Sequence, residues 1–385
     1  MPVWASPLKP KSGLNGAPKE SGNSVMAYVG TYTDHGQGIH LLRMNASTGE
    51  LTPFKAVKTA NPSWLTVHPT RPLLYATNEE AKGGVTAFEI QPDGDLKLID
   101  RFDSLGSDPA HISVHSSGQF LLVSNFSSGN VVVFPIEADG SLGAATDQKN
   151  DLSACTPACE VGPQQPVEGP AGNFPEKLHN GAHAHMIQSD LSGKFVFVSD
   201  LGLDRTIVYR FDAEKGTLSD PHTVAASKGA GARHFALHPN GRWFYSLNEV
   251  SSMLTFMHFD AASGTLSPVL EISTLPKSFA GTNAGSEILF SPDHHFLYAG
   301  NRLHNTVAIF SVGKDGAPTL VGEEWTQGDH PRHFGFDPSG NFFYVCNQRS
   351  DDVTTFRVDR KTGKLTFADR FTPVGSPVCI VFRSL

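Results

Sequence analysis

The sequence predicts an all-β fold made of seven copies of one small antiparallel sheet. Three observations support this: a motif of about 19 residues recurs along the chain, each copy alternates short apolar runs with turns, and helical periodicity is nowhere sustained. The clearest copies span residues 61–79, 231–249, 284–302 and 330–348. Weaker copies span residues 108–126 and 183–201, and the seventh is divided between residues 375–382 and 25–33. We therefore predict a seven-bladed β-propeller.

Each repeat contains the pattern of four strands. The copy that starts at Gly231 has an alternating run, HFALHP, then the turn PNGR and a second apolar run, WFYSLN. A third alternating run and a turn such as ASGTL precede the fourth strand. Period-2 alternation bounded by turn residues is a strand signal, and four such runs form an antiparallel meander. The copies recur at intervals of about 46 to 53 residues, with one gap of about 75, which fits propeller blades.

The divided repeat predicts that both ends of the chain close the ring. If the strand at residues 377–382 pairs with strands from residues 25–60, the two termini share one blade. Closure removes the exposed strand edges that open sheets must otherwise protect. A pair of β-sandwiches is the alternative, but it would not explain seven copies in phase.

We expect residues 1–24 to be a disordered leader and residues 25–385 to form a single propeller. The leader is rich in Lys, Pro, Gly, Ser and Asn and lacks the apolar core of a secretory signal. The long gap contains an insertion at about 147–180, and a long loop in a compact fold is usually functional or disordered. We expect it to lie over one face near the central channel.

Four cysteines are too few for a disulfide framework in a chain of this length. Cys155 and Cys159 belong to the insertion, where a local disulfide and two exposed thiols are both possible. Cys346 and Cys379 lie in apolar strand patterns, so we predict that both are buried packing residues.

Composition and charge limit the class of protein. The 385 residues are 39 % hydrophobic and 18 % charged, which is typical of a soluble globular protein. A net charge of −8 argues against a nucleic-acid partner, and no stretch approaches the length of a membrane span. We expect a monomer or small homo-oligomer in the cytoplasm, or in the periplasm if residues 1–24 are a processed leader.

Strand order predicts where the functional residues converge. The loop before the innermost strand and the loop after the second strand of every blade open on one face, because the two strands are antiparallel. Chemically active side chains at these positions are Glu79, His111, His183, His185, Asp200, Arg233, His234, Glu249, Glu287, Arg302, Arg332 and His333. Arginine offers a fork for carboxylate or phosphate, and His and Glu beside it can do acid–base work. The alternative is a ring of inter-blade salt bridges. The residue before Arg302, Asn301, belongs to a set of Asn residues for which a structural turn role is the alternative.

A metal site is an alternative interpretation of the residues on the same face. His183 and His185 are two apart in a strand, a spacing that could ligate zinc, and Glu79 with Asp200 could hold calcium. Spacing fixes no third ligand, so we expect neither a metal nor another cofactor. No GxSxG elbow, P-loop or HExxH motif occurs in the chain.

The repeats resemble a known group. YVGTYTDHGQGIH from Tyr28, NPSWLTVHPTRPLLYATNE, ARHFALHPNGRWFYSLNE and SEILFSPDHHFLYAGNR are similar to the lactonase family of seven-bladed propellers. That family includes propeller-type 6-phosphogluconolactonases and 3-carboxy-cis,cis-muconate lactonizing enzymes. The resemblance covers residues 25–383 and implies a site made of a histidine, two arginines and a glutamate. The matching positions are His185 in GAHAHM, Arg233 in GARHF, Glu249 in SLNE and Arg302 in AGNR, with His183 as an alternative to His185.

The leading hypothesis is a hydrolase of carbohydrate metabolism that opens an anionic sugar lactone such as 6-phosphogluconolactone. His185, Glu249, Arg233 and Arg302 would be catalytic. The substrate-binding residues would be His111, His183, Glu287, Asn301, Arg332 and His333. One alternative is a cycloisomerase that lactonizes a carboxylated muconate, and another is a non-catalytic binding propeller. The residues alone do not distinguish a phosphorylated substrate from a carboxylated one, because the same arginine fork serves both.

Overall fold

The fold is a closed ring of seven four-stranded antiparallel sheets, as the sequence predicts. This computed structural model describes residues 24–155, 158–174 and 176–385, so the predicted leader lies outside the described residues except for Ser24. No helix in the described part of the chain is long and apolar enough to cross a membrane.

The first blade contains β1 (Val25–Thr31), β2 (Ile39–Met44) and β3 (Leu51–Val57) and is completed by the last strand of the chain. Blade 2 contains β4 (Leu65–Val67), β5 (Leu73–Asn78), β6 (Gly84–Ile90) and β7 (Leu96–Asp103). Blade 3 contains β8 (Pro109–Val114), β9 (Phe120–Asn125), β10 (Asn130–Pro135) and β11 (Asp147–Asn150). Blade 4 contains β12 (Ala184–Ser189), β13 (Phe195–Asp200), β14 (Arg205–Asp212) and β15 (Thr217–Ala225).

Blade 5 contains β16 (Ala232–Leu237), β17 (Trp243–Asn248), β18 (Met253–Asp260) and β19 (Thr265–Ser273). Blade 6 contains β20 (Gly285–Phe290), β21 (Phe296–Asn301), β22 (Thr306–Val312) and β23 (Pro318–Trp325). Blade 7 contains β24 (Pro331–Phe336), β25 (Phe342–Asn347), β26 (Asp352–Val358) and β27 (Leu365–Pro373). The final strand, β28 (Pro377–Ser384), pairs antiparallel with β1 and closes the ring from both termini.

Apolar side chains of adjacent blades form the core, with one buried cluster between each pair of neighbours. A tyrosine in the second strand of five blades adds a hydrogen bond across this interface. Tyr344, for example, donates to the carbonyl of Gly49 in blade 1 at 2.9 Å, and Tyr28 donates to Gly94 in blade 2 at 2.9 Å. The acceptor glycines have φ of +74° and +87°, so the turn that presents each carbonyl requires glycine.

The connection between blades 3 and 4 differs from the prediction at its start. We expected the insertion from about residue 147, but Asp147–Asn150 is β11, the outer strand of blade 3. Its sequence, DQKN, has no apolar residue to indicate a strand, and pairing with β10 supplies the order. A 3-10 helix, Asp151–Ala154, follows, and Cys155 is joined to Cys159 by a disulfide.

The rest of this connection, residues 158–180 without residue 175, crosses the channel face as a strap. Val167 N donates to the carbonyl of Lys228 at 2.9 Å, and Asn173 Nδ2 donates to the carbonyl of Val250 at 3.0 Å. Phe174 N donates to Thr282 Oγ1 at 2.9 Å. These partners belong to loops of blades 4 to 6, so the strap lies beside the mouth of the channel.

Candidate active site

Beta-bulges in the innermost strands turn the predicted side chains toward the channel. The register of β12, β16 and β24 shifts at His185, Arg233 and Arg332, where two residues oppose one on the partner strand. A bulge bends a strand and re-aims a side chain, and bulges are common beside active sites. Equivalent residues of the other repeats are Ser63, Ala110, Ser286 and Val378. We call these seven positions the upper ring.

Glu249 connects two arginines at this level. Its Oε2 lies 2.8 Å from Arg233 Nε and 2.7 Å from Arg302 Nη2, and all three side chains are over 90 % buried. Burial opposes ionisation of Glu249, but the charges of Arg302 and Arg233 outweigh it and lower the pKa of this carboxyl. Arg302 Nη2 also donates to the carbonyl of Gly285 at 3.0 Å, and Arg233 donates to the carbonyl of Ser286. Glu249 is therefore a fixed carboxylate.

Arg332 is held by a different partner. Its Nη2 donates to Tyr32 Oη at 2.6 Å, and the tyrosine in turn donates to Glu79 Oε1 at 2.9 Å. The guanidinium carbon lies 5.2 Å from the centre of the Tyr32 ring, within cation–π range. Tyr32 and Glu79 follow the second strands of blades 1 and 2, as the sequence predicts for residues that converge on this face.

His185 and His183 have different environments. Each ring nitrogen of His183 lies within hydrogen-bond distance of an acceptor, the carbonyl of Phe126 at 3.0 Å and Asn180 Oδ1 at 2.5 Å, and the ring stacks on Phe126. His185 is 6 % exposed and its Nδ1 has no hydrogen-bond partner in the described part of the chain. Burial, followed by the positive charge of Arg233, lowers the pKa of His185 well below its usual value. The imidazole of His185 is therefore neutral.

One residue further along each innermost strand lies a second layer, the lower ring. Its members are Trp64, His111, Met186, His234, Glu287, His333 and Cys379. Trp64 packs against His111 with ring centres 4.3 Å apart, and Glu287 Oε2 lies 3.1 Å from His234 Nδ1. Burial raises the pKa of Glu287 to about 8. These aromatic and imidazole groups fill the channel below the upper ring.

The lower ring faces a second space on the opposite side of the propeller. A cavity of about 650 Å³ is lined by His111, Glu287 and His333 together with apolar side chains such as Phe235 and Phe290. We predicted His111, Glu287 and His333 to bind substrate beside the arginines, but they border this other cavity. Consecutive residues of one strand reach different levels of the channel, which the positions in the sequence do not reveal.

A pocket of about 250 Å³ opens at the channel mouth. Its wall contains Glu176, Leu178, Glu249, Val250, Thr282, Asn283, Ala284, Arg302, Leu303, His330, Arg332, Gln348 and Arg349. Sequence reasoning missed His330 and Arg349 in this wall, and it missed Glu176 and Leu178 of the strap. His330 occupies the place in its repeat that His183 occupies in blade 4, and this equivalence could have indicated it.

Asn301 does not line this pocket, and the same is true of three other predicted site residues, His183, His185 and Arg233. Asn301 is fully buried, its Nδ2 donates to the carbonyl of Thr274 at 3.0 Å, and its Oδ1 accepts from Asn283 Nδ2 at 2.9 Å. Asp200 is also part of the scaffold, since its Oδ1 accepts from the backbone of His183 and Leu203. Among the described residues, no three His, Cys, Asp or Glu side chains are grouped so that they could hold a metal ion.

Fold and site together define a seven-bladed propeller with an arginine-rich pocket at one mouth of its channel. Residues 26–382 match the family model for lactonase, a seven-bladed β-propeller. The chain belongs to this lactonase family, which confirms the predicted fold and, at the level of the family, the prediction of a lactonase enzyme.

Named relatives and solved structures agree with this membership. A 6-phosphogluconolactonase of Bacillus subtilis is 30 % identical over 364 residues, covering 93 % of this chain and 98 % of the relative. One of Formosa agariphila is 33 % identical over 353 residues, covering 88 % and 94 %. The periplasmic gluconolactonase of Pseudomonas aeruginosa superposes with a TM-score of 0.83 at 28 % identity, covering 93 % and 99 %. A Lactobacillus plantarum protein superposes with a TM-score of 0.84 at 29 % identity, covering 94 % and 99 %.

Proposed function

We propose that the protein hydrolyses a sugar lactone, such as 6-phosphogluconolactone, to its open-chain acid. The observation that carries the proposal is Arg302, which lines the pocket with its buried Nε free of any hydrogen-bond partner in the described part of the chain. An unsatisfied donor in a desolvated pocket is suited to a negative charge that develops during a reaction. Two similar relatives carry the name 6-phosphogluconolactonase, which supports this substrate class.

In the proposed reaction, water attacks the lactone carbonyl and a negative charge develops on the carbonyl oxygen. Arg302 donates to this oxygen, with Arg233 beside it. Donors that are already oriented toward such an oxyanion commonly account for a rate factor of about 100 to 1000. Glu249 orients the two guanidinium groups through its salt bridges of 2.8 and 2.7 Å.

His185 removes the proton from the attacking water in this scheme. Its neutral imidazole and partnerless Nδ1 suit a base, whereas Glu249 is tied to two arginines and has a lowered pKa. The resulting imidazolium then protonates the ring oxygen as the ester bond breaks, which gives the hydroxyl of the open acid. Every group in the scheme is a side chain, so we expect turnover to survive a chelator.

A lactone panel tests the proposal. Purified protein is assayed with 6-phosphogluconolactone and gluconolactone in a pH indicator assay, with and without EDTA, and corrected for spontaneous hydrolysis. We expect enzyme-dependent turnover that Arg302→Gln lowers by about 100-fold. An absence of turnover on every lactone would overturn the proposal and favour a binding propeller.

The disulfide favours an oxidising compartment as the location of this protein, such as the periplasm named for the Pseudomonas aeruginosa gluconolactonase. The chain has four cysteines, and Cys346 and Cys379 are buried free thiols. Protein isolated without reductant and then denatured should therefore titrate with two thiols per chain. Four thiols would favour a reducing compartment.

A further inference from the structure

The arginines at the channel mouth differ in how their charge is compensated. Arg233 and Arg302 share the carboxylate of Glu249. Arg332 and Arg349 form no salt bridge with any residue that the structure describes, and the Arg332 side chain donates to Tyr32, which in turn donates to Glu79. Arg332 and Arg349 are therefore the two arginines of the pocket wall that no carboxylate contacts directly in the described part of the chain.

Both of these arginines come from blade 7, and backbone hydrogen bonds fix the two loops that carry them. Gln348 N donates to the carbonyl of His330 at 3.1 Å, and Arg349 N donates to the carbonyl of Asp329 at 3.1 Å. His330 has a φ of +63°, in the left-handed region that non-glycine residues seldom adopt. The equivalent residues Asn61, Asp108 and Ser376 also have a positive φ, so this conformation belongs to the turn that opens the repeat and fixes the position of His330.

His330 supplies an independent indication of a ligand. The residue lines the pocket, is 9 % exposed, and its Nδ1 is buried without a hydrogen-bond partner in the described part of the chain. Burial, followed by the charges of Arg302 and Arg349, lowers the pKa of His330 to about 2. A neutral imidazole always carries one N–H, so His330 can donate a hydrogen bond without adding charge.

We propose that Arg332, Arg349 and His330 form a subsite for an oxyanion group of the substrate that is remote from the lactone carbonyl. The subsite rests on the proposed function and gives it a substrate class: lactones that carry a phosphate or a carboxylate at the far end of the molecule. Blades 4 to 6 then supply the groups that react with the lactone, and blade 7 binds the charged group of the substrate. Glu176 of the strap lines the same pocket, and its negative charge acts on Arg332 together with those of Glu79 and Glu249.

Three lactones with a phosphate, a carboxylate or a hydroxyl at carbon 6 test the subsite: 6-phosphogluconolactone, glucarolactone and gluconolactone. We expect Arg349→Ala to raise KM for a charged lactone at least tenfold more than for gluconolactone, with the effect on KM rather than kcat. Arg349→Lys should recover part of the loss, and His330→Phe should raise the same KM. Lys361→Ala is the matched control, because it removes an exposed positive charge from the β26–β27 turn on the opposite face.

The ratio of kcat/KM for the phosphate and carboxylate lactones shows which oxyanion the subsite prefers. Equal changes for the charged and uncharged lactones in Arg349→Ala, or no change in either, would overturn the subsite while leaving lactone hydrolysis intact. If the wild-type protein hydrolyses none of the three, the proposed function fails and calorimetry with 6-phosphogluconate tests the subsite alone. Binding that Arg349→Ala weakens at least tenfold would support it, and binding that is absent or unaffected by the substitution would refute it.

Discussion

Glu249→Gln separates the two roles that a carboxylate between arginines could play. The substitution keeps the shape of the side chain but removes the charge that compensates Arg233 and Arg302 at 2.8 and 2.7 Å. Breaking a buried ion pair from one side costs about 3 to 5 kcal/mol, because the remaining charge stays buried. Both arginines retain a backbone carbonyl partner, so we expect the lower end, about 3 kcal/mol of unfolding free energy.

The unfolding free energy lost in Glu249→Gln should decrease as the pH is lowered. The pKa of Glu249 is lowered from its ordinary value of 4.5, so its stabilisation is fully present above pH 4.5 and is lost as pH falls through the lowered value. Equilibrium unfolding in guanidinium chloride at several pH values measures this. Glu89→Gln is the matched control, since Glu89 is 45 % exposed and pairs with Lys97 at 3.3 Å, a contact worth about 0 to 1 kcal/mol. A cost no greater than that of the control would refute the argument.

The same variant distinguishes Glu249 from His185 as the base. If Glu249 only orients arginines, Glu249→Gln lowers kcat/KM by about 100-fold but keeps the acidic limb of the pH profile. That limb belongs to His185, whose lowered pKa places it below pH 6.5 in the free enzyme. His185→Asn should remove the limb. The reverse pattern, a limb lost in Glu249→Gln and kept in His185→Asn, would assign the base to Glu249.

Three further substitutions test separate parts of the structure. Asp151 is fully buried, and burial together with the charge of Asp200 raises its pKa. Asp151→Asn should therefore stabilise the protein above pH 4. Unfolding measured at several pH values should show that this gain in stability disappears at lower pH. Tyr32→Phe removes the acceptor that holds Arg332 at 2.6 Å and should raise KM several-fold more than it lowers kcat in steady-state assays. Tyr344→Phe leaves a buried glycine carbonyl without its donor and should cost about 1 to 3 kcal/mol in equilibrium unfolding, where an unchanged midpoint would contradict the role of the inter-blade bond.

The repeat was sufficient to predict the ring, its closure and the face on which residues converge. These properties depend on strand alternation and turn chemistry, which are local and visible in sequence. The contact of Arg233, Glu249 and Arg302 follows from the same phase of the repeat, because these residues lie at the start of a first strand or directly after a second strand in adjacent blades.

The features that the sequence did not predict depend on the register of paired strands and on the long connection between blades 3 and 4. The bulges at Arg233 and Arg332 are set by strand pairing, and they decide that these residues and their neighbours His234 and His333 reach different levels of the channel. The position of Glu176 in the pocket depends on the path of the strap, which is fixed by hydrogen bonds to distant loops. The sequence of the strap has no periodicity that would indicate the position of Glu176 or these hydrogen bonds.

The residues that hold the blades together differ from those that form the site, so one strand position can differ between repeats without an effect on folding. Equivalent residues of the upper ring include Ser63, Ala110 and Val378, so a blade folds with a small or apolar side chain where blades 5 and 7 carry arginine. The clusters between blades and the tyrosine bonds lie elsewhere on the strands and do not depend on this position. The cost of replacing Arg233 therefore comes from the lost ion pair with Glu249, which keeps Arg302 at 2.7 Å, and not from the backbone. It follows that charge-balanced changes at the channel mouth alter chemistry with little effect on folding, whereas unbalanced ones alter both.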